Sequence, residues 1–182
     1  MAPPMHWLWF HDHQTETLRP RLLRLACAWC GDRHLAEDLT QEALARALRT
    51  TATLREPRAL EGWLMAILNN VWRDHLRRRK GVEDIDDWAE TLASDEPGPE
   101  ASLEDRQLAE EVRAQVATLP LGQRQVLTLV DLEERTYAEV AQILAIPVGT
   151  VMSRLSRARA ALKEKLLAHR PAAVAPALRR VK

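Results

Sequence analysis

Apolar residues recur at helical spacing through two long blocks of this 182-residue chain, and an acidic stretch that packs poorly parts them. In the first block Leu22, Leu25, Ala26 and Trp29 share one helix face, and Gly31-Asp32 breaks the pattern. Asp32 is placed to cap a second helix bearing Leu35, Leu39, Ala43 and Ala47. After a connection over residues 50–58, Pro57 precedes a long helix striped with Leu60, Trp63, Leu64, Ile67, Val71 and His75, and Gly81 is its stop. Three such helices predict a small bundle.

The second block divides at Leu119-Pro120, where Pro120 suits the first turn of a helix running to about Asp131. Thr136 and Glu139 have capping-box spacing, followed by Val140, Ile143 and Leu144 at core positions. A turn at Ala145-Ile146-Pro147 leads into a second seam of Val151, Leu155, Ala158 and Leu162. A short helix, a tight turn and a longer helix with a basic outer face predict a helix-turn-helix, whose second helix enters the major groove by its N-terminal half. Residues 81–105, with Pro-Gly-Pro at 97–99, read as a flexible acidic linker. The fold class expected is all-α: one helical domain over residues 1–80, the linker, a second over 106–168, and a basic tail over 169–182.

Composition supports this and removes other classes. Aromatics are few, while Leu, Ala, Arg and Glu, all good helix formers, dominate, which argues against a β-sandwich. No apolar run approaches the roughly 20 residues of a membrane span, and Met1–Phe10 lacks the basic residues of a secretory signal, so a cytoplasmic protein without direct membrane insertion is expected. The formal net charge of zero conceals a strong pattern. Residues 13–80 hold thirteen Lys/Arg against eight Asp/Glu, and residues 122–182 hold eleven against five. Residues 81–111 hold twelve acids and one base. Two basic blocks fit a nucleic-acid partner, although ordinary solvated surface accounts for them too.

On the second helix of the helix-turn-helix, Thr150, Ser153, Arg154, Ser156 and Arg157 face away from the seam. An outward Arg can pair with the two acceptors of guanine, and hydroxyls can reach bases or phosphates. A merely soluble helix would carry similar residues, and pattern alone does not separate the two. At the end of the long helix, Arg77, Arg78, Arg79 and Lys80 exceed what the helix dipole calls for, and Asn69, Asn70, Arg73 and Asp74 precede them. Trp72 there is either a stacking platform for an unpaired base or part of the core. Cys27-x-x-Cys30 has metal-ligand spacing, with His6, His11, His13 and His34 as possible further ligands. Without a second such pair or a βαβ pattern, two packed thiols are the favoured reading; a metal or redox sensor is the minority one. No phosphate loop or nucleophile motif is present, and neither an enzyme nor a cofactor is expected.

The stretch LPLGQRQVLTLVDLEERTYAEVAQILAIPVGTVMSRLSRARAALKEKL, residues 119–166, resembles region 4 of the extracytoplasmic-function (ECF) sigma factors. Residues 24–49, with AEDLTQEAL, resemble the start of their region 2, and residues 62–81 its end. The resemblance implies a protein that binds RNA polymerase core, directs it to promoter DNA, and is held inactive by an anti-sigma factor. It implies that Glu37, Asp38, Gln41 and Glu42 belong to the surface gripping the polymerase clamp. Asn70 would meet a flipped base of the −10 element, supported by Trp63, Arg73, Arg77 and Arg78. Ser153, Ser156 and Arg157, with Thr150, would face the −35 groove, and Arg154 the backbone. Three positions depart from the family pattern: Met152 replaces Lys or Arg, Ala145 replaces the turn Gly, and Leu68 replaces Ala. The alternative function is a stand-alone helix-turn-helix regulator that does not bind polymerase, which would leave AEDLTQEAL without a role.

Overall fold

The computed structural model describes residues 15–50, 59–80 and 103–169, and every regular element among them is helical. α1 (Thr15–Cys30) stops at Gly31, whose φ of 70° needs a residue without a Cβ penalty and whose N–H closes on the Cys27 carbonyl at 2.8 Å. Asp32 then caps α2 (Arg33–Thr50), its Oδ1 accepting the Leu35 N–H at 2.9 Å. α3 (Leu60–Lys80) completes a three-helix bundle in which each helix touches the other two. Pro57 and Gly81, the expected start and stop signals of α3, the linker through residue 102 and the tail from residue 170 lie outside the described residues.

The second block comprises α4 (Leu103–Ala117), α5 (Leu121–Leu127), α6 (Tyr137–Leu144) and α7 (Val148–His169). The single helix expected from Pro120 to Asp131 is instead α5 followed by a π-helical turn over Thr128–Leu132. The Thr128 hydroxyl bonds back towards the Arg124 and Gln125 carbonyls. The Glu133 N–H then reaches the Thr128 carbonyl at 3.1 Å, five residues back. This wide turn carries Glu133 inward, where only 5% of it is exposed. The capping box forms as expected: Thr136 Oγ1 accepts the Glu139 N–H, and the Thr136 N–H donates to Glu139 Oε2 at 2.8 Å. Ala145 ends α6 in the left-handed region (φ 54°, ψ 47°), so the turn does tolerate a Cβ where glycine would be unstrained.

Both helical clusters anticipated from the pattern are present, but they are docked on one another. Their buried side chains form one continuous apolar cluster from Leu18 to Ala158, with α1 against α4, α5 and the π turn, and α3 against α6. Polar groups lock the contact. The buried Trp29 Nε1 donates to Thr128 Oγ1 at 2.9 Å. Arg124, only 3% exposed, donates to the carbonyls of Trp29, Ala117 and Leu119. Its charge thus rests on the C-terminal ends of α1 and α4, one from each block, where carbonyl dipoles converge without helical partners. Burial lowers the pKa of this guanidinium. Deeper along α3, Asn69 donates to the Ile143 carbonyl at 3.2 Å and accepts from Gln125 Nε2 at 3.1 Å. At the rim Arg21 bridges Glu133 and Glu61, and Arg135 also pairs with Glu61.

Candidate nucleic-acid and polymerase interfaces

α6, the turn at Ala145 and α7 follow in the expected order, and the buried seam and outward residues of α7 separate as the spacing predicts. Val151, Leu155 and Ala158 are buried beneath α7, while Ser153, Ser156 and Arg157 are exposed and Thr150 and Arg154 are half-buried at the margin. Arg157 folds back along the helix, its Nε donating to the Ser153 carbonyl at 3.2 Å. Met152 stands 54% exposed on the same helix, with Val148 one turn before it.

On α3 the structure separates residues that adjoin in sequence. Asn70 is exposed, Trp63 and Arg73 are half-buried, and Arg77 and Arg78 are exposed beside Asp74. Asn69 points the other way, into the contact between blocks, and is not available to a base. Trp72 is core rather than platform: it is 1% exposed and stacks on His75 with ring centroids 5.6 Å apart. Burial, with Arg79 and Arg78 nearby, lowers the pKa of His75. Asp74 is anchored by Arg46 at 2.8 Å, and that hydrogen bond lowers its pKa.

The expected polymerase-binding residues divide into two kinds. Asp38 and Gln41 are exposed on α2. Glu37 is half-buried and pairs with Arg33 at 3.2 Å. Glu42 is braced by Arg46 at 2.7 Å, which lowers its pKa, and Arg46 carries the connection on to Asp74 of α3. Glu42 therefore helps fix α2 on α3 besides facing outwards. Leu48 is 41% exposed on the last turn of α2.

The cysteines behave as packed thiols. Cys30 is buried, donates from Sγ to the Asp32 carbonyl at 3.1 Å, and is pushed up to about 12 by burial. Burial also raises the half-buried Cys27. A high-pKa thiol is a poor ligand and nucleophile. Among the described residues no cluster of three metal-ligating side chains occurs; His6, His11 and His13 lie outside them. No helix among the described residues is long and apolar enough to cross a membrane.

What the sequence did not reveal is the docking set: Arg21, Glu61, Arg124, Gln125, Glu133 and Arg135. Each looks like a solvated helix residue, and no local spacing marks a polar group whose partner lies in another block.

Residues 15–82 match the family Sigma-70 region 2, and residues 109–162 match Sigma-70, region 4. The chain is 40% identical to the ECF RNA polymerase sigma factor EcfG of Rhodopseudomonas palustris, over 81% of this chain and 80% of that protein. It is 34% identical to SigE of Mycolicibacterium smegmatis over 82% of this chain, and spans 58% of SigE. The fold resembles the sigma factor RpoE from Bartonella quintana, solved in complex with the anti-sigma factor NepR. There the TM-score is 0.72 at 27% identity, covering 87% of this chain and 98% of RpoE. Both regions, in order and on one chain, set aside a stand-alone helix-turn-helix regulator. The chain belongs to the ECF sigma factors, non-catalytic subunits that bind RNA polymerase and act in transcription initiation.

Proposed function

We propose that this sigma factor is a cytoplasmic, signal-responsive protein that places polymerase on promoter DNA through two separate surfaces and is restrained by an anti-sigma factor. Region 2 binds core through Asp38 and Gln41, with Glu37 and Glu42 at the margin. It reads the −10 element through Asn70, supported by Trp63, Arg73, Arg77 and Arg78. Region 4 reads the −35 element through Ser153, Ser156 and Arg157, with Thr150 and Arg154 at the edges of the groove. Residues 81–102 serve as the linker between the two domains, three residues shorter than the expected 81–105 because α4 already begins at Leu103.

The observation that carries this reading is the docked arrangement itself. Promoter elements centred about 25 base pairs apart lie roughly 85 Å apart along the duplex. A chain with α6 packed directly on α3 does not reach both. The active form therefore requires undocking, with residues 81–102 supplying a reach of up to roughly 75 Å when extended. A partner that binds the docked form more tightly than the open one holds the factor inactive. The likeness to an RpoE crystallised with NepR supports an anti-sigma factor in that role.

In vitro transcription with core polymerase over a promoter library tests the whole reading. Asp38→Lys should lower core affinity at least tenfold with helicity unchanged by circular dichroism. Normal binding would move the docking surface off α2.

A further inference from the structure

We propose that the first turns of α7 carry an apolar notch, formed by Val148, Gly149 and Met152, that recognises the 5-methyl group of a thymine in the −35 element. The inference rests on the reading of α7 as the −35 recognition helix and names a specificity determinant within it.

Three observations converge on these residues. Met152 is 54% exposed and Val148 44% exposed, two of the six exposed large hydrophobic residues among the described residues. They stand at i and i+4, so they adjoin on one side of the helix. Their neighbours on the outward surface are polar or basic: Ser153, Ser156 and Arg157, all exposed. The apolar pair is thus set into the margin of a surface whose chemistry otherwise suits phosphates and base edges.

Gly149 supplies the third observation. A Cβ built on it meets nothing within 4 Å. No packing inside the protein demands glycine there, at the second residue of α7. Between Val148 and Ser153, on the outward side, its missing side chain lets the backbone approach something outside the chain. A base pair in the major groove presents the only apolar group on its edge at the thymine methyl, for which an apolar side chain is the fitting contact. A Lys or Arg at position 152 would reach a phosphate or guanine instead. Methionine, flexible and polarizable, exchanges that charge contact for a methyl contact.

The test uses holoenzyme assembled from the full chain and core polymerase, on the −35 sequence it selects from a randomised promoter library. Each thymine of that element is replaced in turn by deoxyuridine, which removes only the methyl. One replacement should weaken binding about fourfold, the transfer value of one buried methylene-sized group. In Met152→Ala that replacement should have no effect, and in Met152→Lys binding should tolerate other bases at the same position. Gly149→Ala should leave the melting temperature of the free protein essentially unchanged yet weaken binding to the selected sequence. Uniform tolerance of deoxyuridine, or an unchanged methyl effect in Met152→Ala, overturns the notch while leaving −35 recognition intact. If no −35 preference emerges from the library at all, the assignment of α7 fails and the notch fails with it.

Discussion

Ala145 and Cys30 show what a single position contributes. The left-handed conformation at Ala145 costs a β-carbon-bearing residue about 1–2 kcal/mol, against the smaller entropic cost of glycine. Ala145→Gly should therefore stabilise the protein by about 0.5–1 kcal/mol, measurable by urea denaturation with an unchanged slope. Among the thiols, half-buried Cys27 should alkylate slowly with iodoacetamide at pH 8, and Cys30 only when the protein unfolds. Peptide mass spectrometry reads both; early modification of Cys30 would restore the sensor reading. Turn and cap positions were legible from residue type, because Asp32, Gly31 and Thr136 act on backbone groups within a few residues of themselves. The π turn was not, since its widening accompanies a tertiary hydrogen bond from Trp29 to Thr128.

At the scale of the element, α7 and α3 present two kinds of basic surface. Arg157 lies beyond Ser153 on the side opposite the buried seam, so Arg157→Ala should cost about 1–3 kcal/mol on the preferred −35 sequence and much less on altered ones. Replacing Arg77 and Arg78, exposed at the end of α3, should weaken binding across sequences and flatten its salt dependence by about 0.7–0.9 for each phosphate no longer neutralised. Holoenzyme isotherms at several salt concentrations distinguish the two. Equal weakening on every −35 variant would make Arg157 a phosphate ligand. The face of α7 followed from the 3.6-residue period, because three buried residues fix which residues point away. The same period could not assign Asn69 and Asn70, since α3 is packed on more than one side.

For the whole molecule the docked contact is decisive. Asn69→Ala leaves the Ile143 carbonyl and the Gln125 amide without this partner in a buried site, at a cost of about 1–3 kcal/mol. The variant should expand in small-angle scattering and bind core more tightly; an unchanged radius together with unchanged affinity would count against docking as a restraint. Acid should act in the same direction through Glu61. Burial alone would raise its pKa, but the Arg135 hydrogen bond and the charges of Arg21 and Arg135 outweigh that and lower it. A lowered carboxylate pKa contributes stability that is complete above the ordinary value of 4.5 and is lost as pH falls through the depressed one. Docking should accordingly be insensitive to pH near neutrality and loosen only in acid, and Glu61→Gln should remove that dependence. Scattering across a pH series measures it.

By itself the sequence determined the helices of the first block, the helix-turn-helix with its capping box and seam, and the outward set Ser153, Ser156 and Arg157, along with membership of the family, but not α4 or the π turn. These depend on neighbours within about one or two helical turns, and such spacing is written directly in the chain. The tertiary structure alone decided that the two blocks share a core, that Asn69 and Trp72 are spent inside it, and that Arg124 joins the ends of α1 and α4. The reason is physical: the partners of Arg21, Asn69 and Arg124 stand dozens of residues away, and a polar side chain carries no mark of whether water or a distant carbonyl will satisfy it.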